Sequence, residues 1–434
     1  MVKQSLQSRS ASPVIATSSL VLVFILQVIM AMPDVSSQSQ LKEVAVSTNR
    51  FALDLHKVLS KKNAGNMFCS PLSLQVALAM ASVGAGDNTK SYNEIKALLR
   101  FPDDKSKMLS SYSLLSDALT NSKDVLKMAN RIYIDQKFKV KPEYLETTKK
   151  YFKSDAQAVD LLQNAAAAGA VINSWVEQQT NNKIKDLIPQ GALTPETVMV
   201  LINAIHFKGD WKKAFEKEMT MKEKFYLDES KTVDVDMMHI TNDYNFFHDE
   251  KLKAKFLEMP YKGDEFSMIF VLPDSKTGLA ELEAAITSES FDLTKKIEGL
   301  QNSGPVKVIV SLPKFEMEQT HDTLVDTLKE LGVEEIFSDK ANFSNIDPNG
   351  RIKVSKIIQK AFVAVDEKGT EAAAATAQII RKKRSLIEEK EFLAEHPFMF
   401  LIASRVSCIS LFVGRYLPDS NGEHDSDSVP RDEL

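Results

Sequence analysis

Apolar residues recur at helical spacing early in the chain. In Phe51-Ala-Leu-Asp-Leu-His-Lys-Val-Leu59, the residues Phe51, Leu55, Val58 and Leu59 fall on one helical face. Ser70-Pro71 reads as an N-cap followed by Pro at the first helical position, and it opens an apolar helix through Met80. Later the period changes. Phe266–Pro273 and Val306–Pro313 are strand-like runs, and Leu411–Arg415 is a short terminal strand. Helices first and strands later predict an α+β architecture with large mixed sheets. From about Gln40 to Pro418 no linker rich in Gly, Pro or Ser and no repeat interrupts the pattern, which predicts one large domain.

Composition changes this picture little. The 434 residues are 44% hydrophobic and 26% charged, ordinary for a globular chain long enough to bury a large core. A net charge of −5 argues against a protein built around nucleic-acid phosphates. The two cysteines, Cys69 and Cys408, sit in apolar stretches and read as buried free thiols.

The two ends carry addresses. Lys3 and Arg9 precede an apolar core, Ser19 to Ala31, too short to span a bilayer comfortably. Residues 1–31 are therefore expected to be a secretory signal, cut near Ala31 or at Ser36–Ser37. The chain ends Arg431-Asp432-Glu433-Leu434, a tetrapeptide of the type that retrieves proteins to the endoplasmic reticulum. The acidic, Ser-rich residues 419–434 would display it as a flexible tail. The expected location is the lumen of the endoplasmic reticulum and the early secretory pathway, with some secretion, and no stable membrane insertion.

Catalytic signatures are missing. There is no Gly-x-Ser-x-Gly, His-Glu-x-x-His, phosphate-binding Gly-x-x-x-x-Gly-Lys or Cys-x-x-Cys, and the seven histidines are scattered. No enzyme activity, metal or cofactor is expected. One segment stands out instead. Small residues fill Ala372, Ala373, Ala374 and Ala375, then Arg381, Lys382, Lys383 and Arg384 form a basic cluster followed by Ser385. With period two, Thr370, Ala372, Ala374, Thr376 and Gln378 share a face that could enter a crowded sheet without steric clash, leaving Glu371 on the wet side.

Here the chain resembles the serpin family, in its inhibitory form. Glu367-Lys-Gly-Thr-Glu-Ala-Ala-Ala-Ala-Thr376 is similar to the family's reactive-loop hinge, so Glu367, Gly369, Thr370, Ala372–Ala375 and Thr376 take that role by resemblance. Asn66 to Ser73, Gly84 to Thr89, Ile172 to Thr180, Leu201 to Trp211, Leu312 to Phe315, Ala394 to Phe398 and Phe412 to Arg415 resemble its other motifs at family spacing. The resemblance implies a fold of three β-sheets, about nine helices and an exposed reactive-centre loop, here 366–391. It further implies a metastable monomer, whose serpin domain spans 40–418. A protease cleaves the loop and is acyl-linked to it; the cut loop then inserts as a new central strand and distorts the captured enzyme.

Arg381-Lys-Lys-Arg384 satisfies the Arg-x-Lys/Arg-Arg preference of furin-like, subtilisin-type proprotein convertases, whose acid-lined pockets hydrogen-bond several basic side chains. Arg384–Ser385 is then the reactive bond. The usual family count from the hinge ends one residue earlier, at Lys383, which would suit a trypsin-like protease. Two other features depart from or add to the pattern: Gln359 stands where the family usually has His, and Asn342-Phe-Ser344 is the single glycosylation sequon. A second reading is a non-inhibitory chaperone, since a collagen-binding serpin of the endoplasmic reticulum ends in a similar tetrapeptide. The expected partners are a basic-specific serine protease and the retrieval receptor.

Overall fold

The helical face around Phe51 belongs to α1, Val35–Lys62, in which Phe51, Leu55 and Leu59 are buried and Val58 is half-buried. The computed structural model describes residues 35–120, 125–347, 349, 351–369 and 389–418. The sequence readings on 1–31, on the hinge and basic cluster within 370–385, and on 419–434 lie outside these residues.

After β1 (Met67–Cys69), Ser70 caps α2 (Pro71–Gly84) by accepting a hydrogen bond from the Ser73 N–H. The helix continues to Gly84, past the Met80 expected from its apolar run, and every one of its residues is buried. A helix apolar on all sides needs neighbours on all sides, and α2 finds them in α1, α3 (Lys90–Leu99) and the strands below. Next come α4 (Lys105–Thr120), β2 (Leu126–Asp135), α5 (Pro142–Phe152), β3 (Asp155–Val159), α6 (Ala165–Gln179) and β4 (Met199–Phe207). The later half contains β5 (Met221–Tyr226), β6 (Thr232–Asp249), β7 (Ala254–Pro260), β8 (Phe266–Pro273), α7 (Leu279–Ile286), α8 (Leu293–Gln301), β9 (Pro305–Pro313) and β10 (Phe315–His321). The helix α9 (Leu324–Glu330), β11 (Val354–Val365), β12 (Lys390–Leu393), β13 (Phe398–Ser404) and β14 (Ser410–Tyr416) complete the described residues.

Among the described residues these make nine α-helices and three sheets. One five-stranded sheet runs β10-β11-β4-β2-β3. The other two, β1-β14-β13-β8-β7-β6 and β5-β6-β9-β12, share β6 and so form one continuous hydrogen-bonded network. The shared strand achieves this by changing partners along its length: β5 at Thr232–Met237, β9 at Met237–Asn245, and β7 at Asn245–Asp249. Strands β8 and β14 are buried throughout, and their largely apolar sequences suit strands covered on both faces. Arg415, the one charge in β14, forks onto both carboxylate oxygens of buried Glu283 at 3.2 and 3.0 Å, and its Nε donates to the Gly65 carbonyl at 2.9 Å. Truncating either partner of such a pair costs about 3–5 kcal/mol.

A second apolar cluster lies under α6, where Ile172 and Val176 join Ile184 and Ile188 over Ile202 of β4 and Ile358 of β11. Cys69 and Cys408 are buried and unpaired with each other. Burial pushes the Cys69 thiol up, and that of Cys408 to about 11, so both stay protonated at neutral pH. Among the described residues no helix is long and apolar enough to cross a membrane, and no cluster of His, Cys, Asp and Glu has metal-ligand geometry.

Candidate functional site: the anchored loop and the seam beside it

Two posts hold the segment between Gly369 and Glu389. At the first, β11 ends in a turn where Asp366 Oδ1 accepts from the Lys368 and Gly369 N–H groups at 2.8 and 3.0 Å. Gly369 bridges Asp210 with φ of +141°, and a Cβ there would lie 2.2 Å from the Gly209 carbonyl oxygen. Only glycine combines that dihedral with that approach. The Trp211 N–H donates to the Lys368 carbonyl at 2.7 Å and its indole Nε1 to the Asp366 carbonyl at 3.0 Å, while its ring stacks on Tyr261 at 4.6 Å.

Glu367, expected as part of a hinge, is a buried anchor. Thr220 Oγ1 donates to its Oε1 at 3.0 Å, Lys314 Nζ reaches its Oε2 at 3.1 Å, and its carbonyl accepts from the Phe215 N–H at 2.7 Å. Burial alone would raise the carboxyl pKa. Its own backbone N–H, Lys314 and Thr220 outweigh that and hold it below the usual glutamate value.

At the second post, Glu389 pairs with Lys307 at 3.4 Å, and β12 lies parallel to β9 with Lys390 opposite Val308. Thr370, Ala372–Ala375, Thr376, Arg381–Lys383, Arg384 and Ser385 fall between the posts, beyond the described residues.

Next to the first post, β11 and β4 are hydrogen-bonded directly to one another, in parallel, from Val354–Met199 to Phe362–His206. A strand returning from the turn at Gly369 would run antiparallel to both. This seam is closed by a buried polar network. Gln359 accepts from the Ser70 N–H and donates to the Ser70 carbonyl, both at 2.9 Å, and donates across the seam to Asn203 Oδ1. Asn203 in turn donates to Asn130 Oδ1 at 2.5 Å and to Ser73 Oγ. Gln319 and His321 of β10 pair with the Phe68 N–H and carbonyl at 2.6 and 2.9 Å, so side chains occupy the open edge of β1.

The motif segments contain Trp211 and Lys314, and Gln359 stands as a departure, yet nothing in one-dimensional spacing brings Thr220 to Glu367 or Asn130 to Asn203. Asn342 is half-buried, with its Oδ1 taken by the Ser344 N–H at 3.1 Å.

The family model described as Serpin (serine protease inhibitor) matches residues 46–418. The chain belongs to the serpin family. It is 38% identical over 383 residues to the leukocyte elastase inhibitor of Homo sapiens, covering 87% of this chain and 99% of that one. To Iris of Ixodes ricinus it is 40% identical over 369 residues, covering 84% and 96%. Among solved structures, Serpin48, described as a highly specific serpin in the insect Tenebrio molitor, superposes with a TM-score of 0.75 at 31% identity, over 89% of this serpin and 99% of that chain.

Proposed function

We propose that this serpin is a suicide inhibitor of furin-like proprotein convertases, with Arg384–Ser385 as the reactive bond. The observation that carries the reading is the closed parallel seam between β4 and β11 beside the anchored end of the loop. A protease serine attacks the Arg384 carbonyl; the ester forms as the peptide C–N bond breaks, and the proton goes to the Ser385 amine. Residues after Gly369 then enter the seam, exchanging one parallel ladder for two antiparallel ones, the slightly more stable kind per residue. Thr370, Ala372, Ala374 and Thr376 fit because they are small.

The basic run Arg381-Lys382-Lys383-Arg384 supports a convertase as the target. The leukocyte elastase inhibitor is named for a protease whose specificity pocket is small, and a small pocket does not accept an arginine. The signal sequence and the retrieval tetrapeptide Arg431–Leu434 would hold the inhibitor in the early secretory pathway, where convertases mature. Cleavage after Lys383 by a trypsin-like enzyme is the second reading, favoured by the family's usual arm length.

The test mixes purified protein with furin at near-equal molarity on a denaturing gel. A band at the summed mass that survives SDS and is lost in Arg384→Ala supports the proposal, and the mass of the released C-terminal fragment distinguishes Arg384 from Lys383. A cleaved serpin with fully active furin overturns inhibition; no cleavage at all overturns the target.

A further inference from the structure

The sequon Asn342-Phe-Ser344 is stapled to the connection between α2 and α3. The Asn342 N–H donates to Ser91 Oγ at 3.0 Å, and its carbonyl accepts from the Gly86 N–H at 3.2 Å. Its Oδ1 accepts from the Ser344 N–H. A Cβ at Gly86 would lie 2.8 Å from that Oδ1 and 2.7 Å from Ser344 Oγ, so both side chains sit in space that a larger residue would take. Phe343 is fully buried, and the Ser344 carbonyl accepts from Lys141 Nζ at 2.8 Å. One polar group of Asn342 is left over. Its Nδ2 has no hydrogen-bond partner among the described residues and is open to solvent. Asp87, Asn88, Asp339 and Lys340 close by in the chain are all exposed.

We propose that Asn342 carries an N-linked glycan, attached before this part of the chain folds. The inference rests on the reading that residues 1–31 deliver the chain into the secretory pathway. In the transfer, Nδ2 bonds to C1 of the first sugar of a lipid-pyrophosphate-linked oligosaccharide. The bond from C1 to the pyrophosphate breaks, the pyrophosphate leaves with the electron pair, and the amide gives up one proton to solvent. A transferase reads the Asn-x-Ser tripeptide as a unit and must take it into its own cleft. The folded sequon is not free to enter one. Releasing it breaks the bonds to Ser91, Gly86 and Lys141 and draws Phe343 out of the core. The fold nevertheless accepts the product. The sugar takes the one polar atom of Asn342 that the fold leaves unused, and the N–H, the carbonyl and Oδ1 keep their partners. Transfer therefore precedes the docking of 342–344 on residues 86–91.

The experiment translates the full chain in the presence of microsomes and runs the products on a denaturing gel, before and after an amidase that removes N-glycans. Wild type should be protected from added protease and should run heavier by a single glycan. That step should vanish after the amidase, in Asn342→Gln and in Ser344→Ala, and none of these readouts depends on whether a variant folds. A protected chain that never gains the step overturns the glycan and leaves the secretory reading standing. An unprotected chain overturns the secretory reading, and the same chain behind an unrelated signal then decides the glycan: the step supports it, and its absence overturns it. Purified transferase and lipid-linked donor test the order of events. A synthetic peptide of residues 336–350 should be modified, while the folded, unglycosylated full chain made in bacteria should not. Equal modification of the two would overturn the requirement for an unfolded sequon.

Discussion

Replacing Gln359 with methionine tests whether the seam is held by its polar network. The side chain keeps its length, so packing is largely preserved and the change removes the amide. Ser70 C=O retains a second partner, the Leu74 N–H at 3.3 Å. The Ser70 N–H and Asn203 Oδ1 do not, and both belong to fully buried residues. An orphaned buried polar group costs about 1–3 kcal/mol, so two cost about 2–6 kcal/mol. With about 2.1 cal/mol/K of unfolding entropy per residue over roughly 370 residues, the melting temperature should fall by about 3–8 °C. Differential scanning calorimetry reads this directly. Because Gln359 and Asn203 are register partners across the seam, the variant should also convert faster, on mild warming, to a monomer that no longer traps protease. A variant that melts no lower than the wild type would refute the reasoning, and would mean that the amide's partners find water or each other.

Three other outcomes follow from the geometry. Gly369→Ala places a methyl against the Gly209 carbonyl and should break the bridge to Asp210, at a cost of about 1–3 kcal/mol; fluorescence of Trp211, read in a Trp175→Phe background, should shift to longer wavelength as its ring loosens. Thr370→Arg should turn the inhibitor into a substrate that furin cleaves and releases, visible as loss of the SDS-stable band with cleavage retained; persistence of that band would exclude insertion through this segment. Burial holds the His321 imidazole below the usual histidine pKa even though its Nε2 meets the Phe68 carbonyl. The unfolded chain therefore takes up a proton that folded His321 refuses, so stability is full above about pH 6.5 and declines as the pH falls below it. His321→Gln should flatten part of that decline in melting curves taken between neutral and acidic pH, with His396, shifted the same way by burial, keeping the rest.

Local signals carried well into the fold. Ser70-Pro71 did mark the start of α2, and Phe266–Pro273 is β8 to the residue. The order of helices and strands was less legible: β1, β2 and β3 lie within the helical early part, and α7, α8 and α9 are interleaved among the later strands. The eighteen-residue β6 carries no simple alternation because successive stretches face different neighbours, so its sequence averages several environments. The anchor around Glu367 was half legible. Its glutamate and glycine stand in a motif, but the partners Thr220, Trp211 and Lys314 come from distant segments whose meeting depends on sheet pairing. Gln359 stood out as a departure and Ser70 as a cap, but their joint role with Asn130, Asn203 and Ser73 emerges only when β2, β4, β11 and the start of α2 converge.

The placement of β13 and β14 has a bearing on what happens after the proposed cut. Cleavage at Arg384 divides the chain into two polypeptides, and the smaller one holds β12, β13, β14 and the terminal tetrapeptide. The captured enzyme would be esterified to the larger. Nothing covalent would then join the captured enzyme to the proposed retrieval tetrapeptide. What joins them is β13 clasped between β8 and β14, with β14 clasped in turn between β13 and β1. These are interior strands, every residue of β14 buried, and they cannot leave without unmaking the core. The non-covalent sheet thus becomes the coupling through which a trapped protease would be hauled back with the inhibitor's tail.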